Sequence, residues 1–344
     1  MKPIPTRAFT NELLNPFRQR GDRVVDALVA EIAPKLGHEG LGRFMSYLGD
    51  LQNLSWSEQL PEVQAFFETH SVVPVFANQT QMQAAVAFFW KHSQQIALLL
   101  GCYSLPYCYA AADGAQVLWF SERIKNDTFK RLEETGTFVF EIMQERDWLN
   151  GKNPTKVLKI RLMHAVVRYF ASHSKQWNDT WGVPINQEDM AGTNLAFSYI
   201  VIRGLRKLEI ATTEAEEEAY LHFWSVIGAL LGVETELLPL NLREAYHLDR
   251  AICRRQFKPS DAGQGLTKAL TKVLQQQAPE PALRNFPLAQ MRFLLGNDIS
   301  TLLNIPKVPL EEKLIELTTA IPILKSLFSP PRISSATLEK YQRF

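Results

Sequence analysis

The chain has 344 residues, 46% of them hydrophobic, which is enough to fill the core of one large or two modest domains. Its 37 basic and 36 acidic residues nearly cancel, and no basic block with interleaved aromatics occurs, so a nucleic-acid partner is not expected. Three cysteines (Cys102, Cys108 and Cys253) make neither a disulfide framework nor a paired metal-ligand motif; free thiols point to a reducing compartment, with the cytoplasm as the expectation.

Along the chain, Met1 to Arg7 carries no apolar signal-peptide stretch and no twin arginine. Strand signals are scarce and helical periodicity recurs, which predicts an all-α fold with loops marked by glycine and proline. Val24, Val25, Leu28, Val29 and Ile32 recur at helical spacing with acids between them, an amphipathic helix that Pro34 is expected to end. Shorter helices are predicted over 41–48 and 60–67. Residues 82–100 are apolar around most of a helical circumference, as in a helix buried at the centre of a bundle, and Ser104-Leu-Pro106 is expected to end it. Lys91, His92, Gln94 and Gln95 interrupt this region, so no membrane span is predicted. A further helix is predicted over 126–143, with Gly136 as its weak point.

After Asn150-Gly151 and Pro154 comes the most informative segment, Arg161-Leu-Met-His164-Ala-Val-Val-Arg168-Tyr-Phe-Ala-Ser172. At helical spacing Arg161, His164, Arg168 and Ser172 form one narrow polar line, and apolar residues cover the other side. Lys156 and Lys159 fall off that line and are expected to reach solvent. The line can supply a neutral imidazole to a metal and two cations to an anionic ligand, as haem requires. It is equally the pattern of an ordinary solvated helix face, and periodicity does not decide between them.

Asn186, followed by Glu188 and Asp189, reads as the start of a helix running to Gly204. Thr213 opens the next helix, where Glu214, Glu216, Glu217 and Glu218 are explained by the helix dipole without a metal. Gly228 and Gly232, four apart, suggest a close contact in a soluble core. Helices over 242–257, 266–277 and 288–294 follow, and the proline-richer tail is expected to wrap the surface. No repeat or linker divides the chain, so residues 1–344 are read as a single globular helical domain.

No Gly-rich phosphate loop, Gly-x-Ser-x-Gly elbow or His-Glu-x-x-His helix is present. Of the remaining histidines, His38, His70 and His173 fall near helix ends, and His92 is expected to be buried and hydrogen-bonded. His222 reads as a satisfied core residue and His247 as a solvent-exposed one.

Three ordered motifs go further: Arg161 to Arg168, then Gly182-Val-Pro-Ile-Asn-Gln-Glu-Asp-Met-Ala-Gly-Thr193 with Phe197-Ser198, then Trp224-Ser-Val-Ile-Gly228-Ala-Leu-Leu-Gly232. Together they resemble the MpaB-type and rubber oxygenase (latex-clearing protein) catalytic domain, an all-helical fold with a buried haem b pocket. The resemblance spans 21–303, leaving 304–344 as a C-terminal surface tail. It implies that His164 is the proximal iron ligand and that Arg161 and Arg168 serve haem propionates or carboxylates that orient the site. Latex-clearing proteins carry an Arg-Leu-x-Lys-Thr segment across the haem, where this chain reads Arg131-Leu132-Glu133-Glu134-Thr135. Arg131 and Thr135 thus correspond to distal-pocket residues, and Thr193 to a second pocket threonine. Glu134 stands where the family has lysine, so a doubly ligated haem is not implied; Glu134 is either a catalytic base or a solvated carboxylate. The function implied is a haem-dependent oxygenase that uses dioxygen on an apolar, isoprenoid-like small molecule. Alternatives are haem peroxidase or hydroxylase chemistry, or a helical protein that binds haem or a hydrophobic ligand without turnover.

Overall fold

The computed structural model describes residues 6–120, 128–278 and 281–308. The fold is all-α: among these residues the only extended pairing is one isolated antiparallel bridge between Ala111 and Phe257. No described helix is long and apolar enough to cross a membrane. Most of the predicted tail, residues 309–344, lies outside the described residues.

Two apolar cores organise the helices. The smaller one joins Arg23–Gly49, Pro61–His70 and Lys152–Ser172 through Val25, Val29, Ile32, Phe44, Phe67, Leu158, Leu162 and Val166. Each large aliphatic side chain buried there contributes about 1.5–3 kcal/mol. This core seats the back of the helix that carries His164. The larger core packs Gln79–Lys91 against Glu214–Leu230 and gathers Tyr199–Lys207, Leu242–Gln256 and Asp261–Gln276 around them.

Several predicted boundaries move, each for a local reason. The first long helix does not end at Pro34. It continues to Gly37, whose φ of +62° breaks the regular path, and resumes to Gly49. Nothing would crowd a Cβ on Gly37, so the dihedral alone asks for glycine there. The apolar helix that begins at Gln79 is interrupted at His92 and resumes as Ser93–Leu99. It then widens into a π-helical stretch, Leu100–Ser104, and carries on as Leu105–Tyr109. Pro106 sits in the first turn of that last piece, where its missing N–H costs little. The helix starting at Gln187 stops at Phe197 instead of reaching Gly204. Buried Ser198 turns its hydroxyl back onto the Asn194 carbonyl at 2.8 Å, and Tyr199–Lys207 begins afresh. Gly136 does not break Thr128–Ile142.

The acidic run acts as the dipole argument expected. Thr213 and Glu216 form a capping box, with the Thr213 hydroxyl accepting from the Glu216 N–H at 3.2 Å and the Glu216 carboxylate accepting from the Thr213 N–H at 2.8 Å. Glu217 pairs with Arg206, and Glu218 accepts from the Leu242 N–H. Replacing Thr213 with Ala is therefore expected to lower the unfolding free energy by about 1 kcal/mol in urea denaturation. An unchanged midpoint would show that the box does not hold this helix start.

Candidate functional site

The Lys152–Ser172 helix turns its polar line toward three distant segments of chain. Arg161 donates through Nε to Asp22 Oδ2 at 2.6 Å and through Nη2 to Asp22 Oδ1 at 2.9 Å, a bidentate pair. Two turns on, Arg168 donates from Nε to Asp26 Oδ1 at 2.7 Å and from Nη1 to the Ile185 carbonyl at 3.0 Å. Of the two uses the resemblance leaves open for these arginines, carboxylates occupy the Nε groups of both. Nη2 of Arg168 has no partner among the described residues, although the side chain is buried.

Glycines make these approaches possible. Gly232 has a φ of +84°; a Cβ there would overlap Asp22 Oδ2 and stand 2.7 Å from Arg161 Nε. A Cβ on Gly21 would overlap Asp26 Oδ2 and meet Arg168 at 3.0 Å. Gln187 ties the two glycine segments together, donating to the carbonyls of Gly21 and Gly232, each at 2.9 Å, while its own carbonyl oxygen accepts from the Glu234 N–H at 2.8 Å. Gly228 makes the close core contact expected of it, against Leu238 and Asn194.

His164 lies between the two pairs. Burial, then the charges of Arg168 and Arg131, lower its pKa to about 4, with Asp22 opposing. The imidazole is therefore neutral near pH 7, with a lone pair available to a metal. Its Nδ1 is buried without a hydrogen-bond partner among the described residues, yet the side chain as a whole is only partly covered. The ring is deeply set, and its unpartnered nitrogen fits a metal-bearing group. Among the described residues His164 is not part of a cluster of three or more His, Cys, Asp or Glu, which suits a metal that arrives with ligands of its own. A porphyrin supplies them.

The Thr128–Ile142 helix packs against the His164 helix and carries the partly exposed Arg131–Glu134 pair. Arg131 acts electrostatically on both His164 and Tyr109. It donates from Nη1 to Glu134 Oε2 at 3.2 Å, and Thr135 donates to the Arg131 carbonyl at 2.8 Å. Glu133 is exposed. Thr193 donates to the Asp189 carbonyl at 2.9 Å and shares a hydrogen bond with Cys108, whose thiol pKa burial pushes up to about 12. No hydrogen bond among the described residues joins Arg131 to His164, and Thr193 is exposed.

Other expectations need correction. Lys156 and Lys159 do not reach solvent. Lys156 is buried against Glu141 and Asp147, each at 2.9 Å, and Lys159 is buried over the Tyr47 ring, donating to the Asn53 carbonyl at 2.7 Å. Burial lowers the Lys159 pKa to about 8. His92 is buried against Phe88, but its Nε2 has no partner among the described residues. His222 accepts from the Asn78 N–H at 2.9 Å and His173 Nδ1 lies 2.7 Å from the Tyr169 carbonyl, both as local structure requires. Asp22, Asp26 and Gln187 went unread in the sequence. The acids looked like the polar face of the first helix, and only the two glycines hinted at a tight approach.

Residues 90–323 match the family described as ER-bound oxygenase mpaB/B'/Rubber oxygenase, catalytic domain. Over 269 residues the chain is 25% identical to the rubber oxygenase of Streptomyces sp. (strain K30), covering 76% of this chain and 65% of that protein's length. A solved structure of latex clearing protein LCP in the closed state shares the fold with a TM-score of 0.73 and 21% identity, over 95% of this chain and 90% of that one.

Two outcomes follow from this geometry. Gly232→Ala is expected to destabilise the protein by more than about 1 kcal/mol, because it adds both a strained dihedral and an overlap with Asp22; a wild-type melting temperature would contradict the packing. The His164 ring should titrate by NMR near pH 4, and a midpoint near 6.5 would mean that the ring is not buried.

Proposed function

Because this chain belongs to the ER-bound oxygenase mpaB/B' and rubber oxygenase catalytic-domain family, we propose that it is an oxidoreductase, a haem b-dependent oxygenase that uses dioxygen on an apolar, isoprenoid-like small molecule. The observation that carries this reading is His164 itself: a neutral, deeply set imidazole with an unpartnered nitrogen, fixed between two Arg–Asp pairs on a rigid helix. Haem b, when bound, supplies the redox-active iron that activates dioxygen. The chain, read as one domain with its catalytic core over 21–303, supplies the surroundings.

His164 would hold the iron from the proximal side. Arg161 and Arg168 act mainly through Asp22 and Asp26, fixing the helix that carries the ring, while the unpartnered Nη2 of Arg168 is a donor for an anionic group of the cofactor. On the other side Arg131 offers guanidinium donors toward negative charge that develops during oxidation, a contribution that grows as water is excluded. Glu134 accepts from Arg131 and so first aims it; its carboxylate is also the nearest candidate to take a proton from substrate. Thr135 and Thr193 both spend their hydroxyl protons on backbone carbonyls, which leaves their oxygens to accept.

The protein supplied with haem b should show a Soret band at one haem per chain, consume dioxygen with an isoprenoid substrate, and place label from oxygen-18 gas in the product. Arg131→Met should retain the Soret band while kcat falls about tenfold to a thousandfold, the range for loss of one charge-stabilising donor. Haem binding without oxygen consumption would favour the non-catalytic ligand-binding alternative, and turnover that depends on peroxide alone would favour peroxidase chemistry.

A further inference from the structure

We infer that the loop joining Pro61–His70 to Gln79–Lys91 is a membrane-surface anchor that inserts into the interfacial region of a lipid bilayer. The inference rests on surface chemistry and does not depend on the haem reading.

The sequence here is Ser71-Val-Val-Pro-Val-Phe76-Ala-Asn78, and no Asp, Glu, Lys or Arg occurs from Thr69 to Trp90. The chain turns at Pro74, whose carbonyl accepts from the Ala77 N–H at 2.9 Å, and this places Val75 and Phe76 at the tip. Val75 is fully exposed, Val72 is 62% exposed, and Val73 and Phe76 are also exposed. Such exposure is unusual for β-branched and aromatic side chains side by side. A second exposed apolar residue lies near the base of this loop. Leu149, 71% exposed, ends the short helix Glu145–Leu149 two residues before Gly151, which approaches the Ser71 carbonyl, and Thr155 donates to the Ser71 hydroxyl at 3.3 Å.

Shape and charge favour lipid over another protein. The five apolar side chains expose on the order of 500 Å², below the roughly 800 Å² per partner of a stable protein interface. Four of them crowd into five consecutive residues at the Pro74 turn, too short a segment to present a broad face. A tip without charges enters the acyl boundary without desolvating an ion. Two exposed cations, Arg146 and Lys152, flank Leu149 and are available to lipid phosphates. Asp147, between them, is turned inward to Lys156. The exposed acid nearest the loop in sequence is Glu68, on the preceding helix. Such an anchor would let the protein collect apolar molecules dissolved in the bilayer.

The test is flotation of the full chain with vesicles of phosphatidylcholine, with and without phosphatidylserine, alongside sedimentation in the absence of lipid. The wild type is expected to float with vesicles. Val75→Asp and Leu149→Asp should each reduce partitioning about tenfold or more, with unchanged melting temperatures because both sites are exposed. Leu240→Asp, at a residue 66% exposed elsewhere in the chain, should float like the wild type. Lys152→Gln should weaken binding only to vesicles that contain phosphatidylserine. The inference is overturned if the wild type stays in the aqueous layer, or if Val75→Asp floats as well as the wild type. It is also overturned if Val75→Asp abolishes self-association while leaving flotation intact, which would make the tip a contact between copies of the chain.

Discussion

Two arginine–aspartate pairs on one helix hold the rest of the site in place. Arg161–Asp22 and Arg168–Asp26 are largely shielded from water, and both use the Nε edge of the guanidinium, so they fix direction as well as distance. Pairs of this kind add modestly to net stability, but removing one partner leaves a stranded charge and costs about 3–5 kcal/mol. They therefore act mainly as a registration device. They bring the segment before the first long helix, the Ile185–Gln187 turn and the Gly232 turn to the helix of His164, and Gln187 locks the last two against Gly21. The motifs that look separate along the sequence are the parts of one clamp.

The clamp also explains the electrostatics of the histidine. Burial first, then the charges of Arg168 and Arg131, keep the ring from taking a proton, and Asp22 opposes them. Asp22 and Asp26 meanwhile pair the arginines on either side. The result is an uncharged imidazole between two ion pairs. Glu134 offsets Arg131 on the neighbouring helix. A lysine at that position would add to the positive charge instead.

Much of this was legible in the residues. The all-α class, the N-cap at Asn186, the acid-rich start at Thr213 and the polar line from Arg161 to Ser172 follow from periodicity and capping chemistry, which are local. The missed features are those that depend on a distant partner. Lys156 and Lys159 look like solvent-facing lysines until Glu141, Asp147 and the carbonyl after Gly49 come round to meet them. Asp22 and Asp26 look like the wet side of an amphipathic helix until the arginines arrive from residues 161 and 168. Helix ends moved where a backbone-seeking hydroxyl at Ser198 or a left-handed glycine at Gly37 overrode the hydrophobic pattern. The family resemblance is what suggests roles for His164, Arg131, Thr135 and Thr193, and the folded chain adds the carboxylates and glycines around the first of them.

The central claim is that His164 presents its imidazole to haem iron from a helix fixed by the two pairs. The most direct measurement is the absorption spectrum of a haem-loaded His164→Gly variant before and after addition of free imidazole. Loss of the wild-type Soret position in the variant, and its return when imidazole fills the place of the missing ring, is the predicted result. A variant with the wild-type spectrum and no response to imidazole would contradict the account.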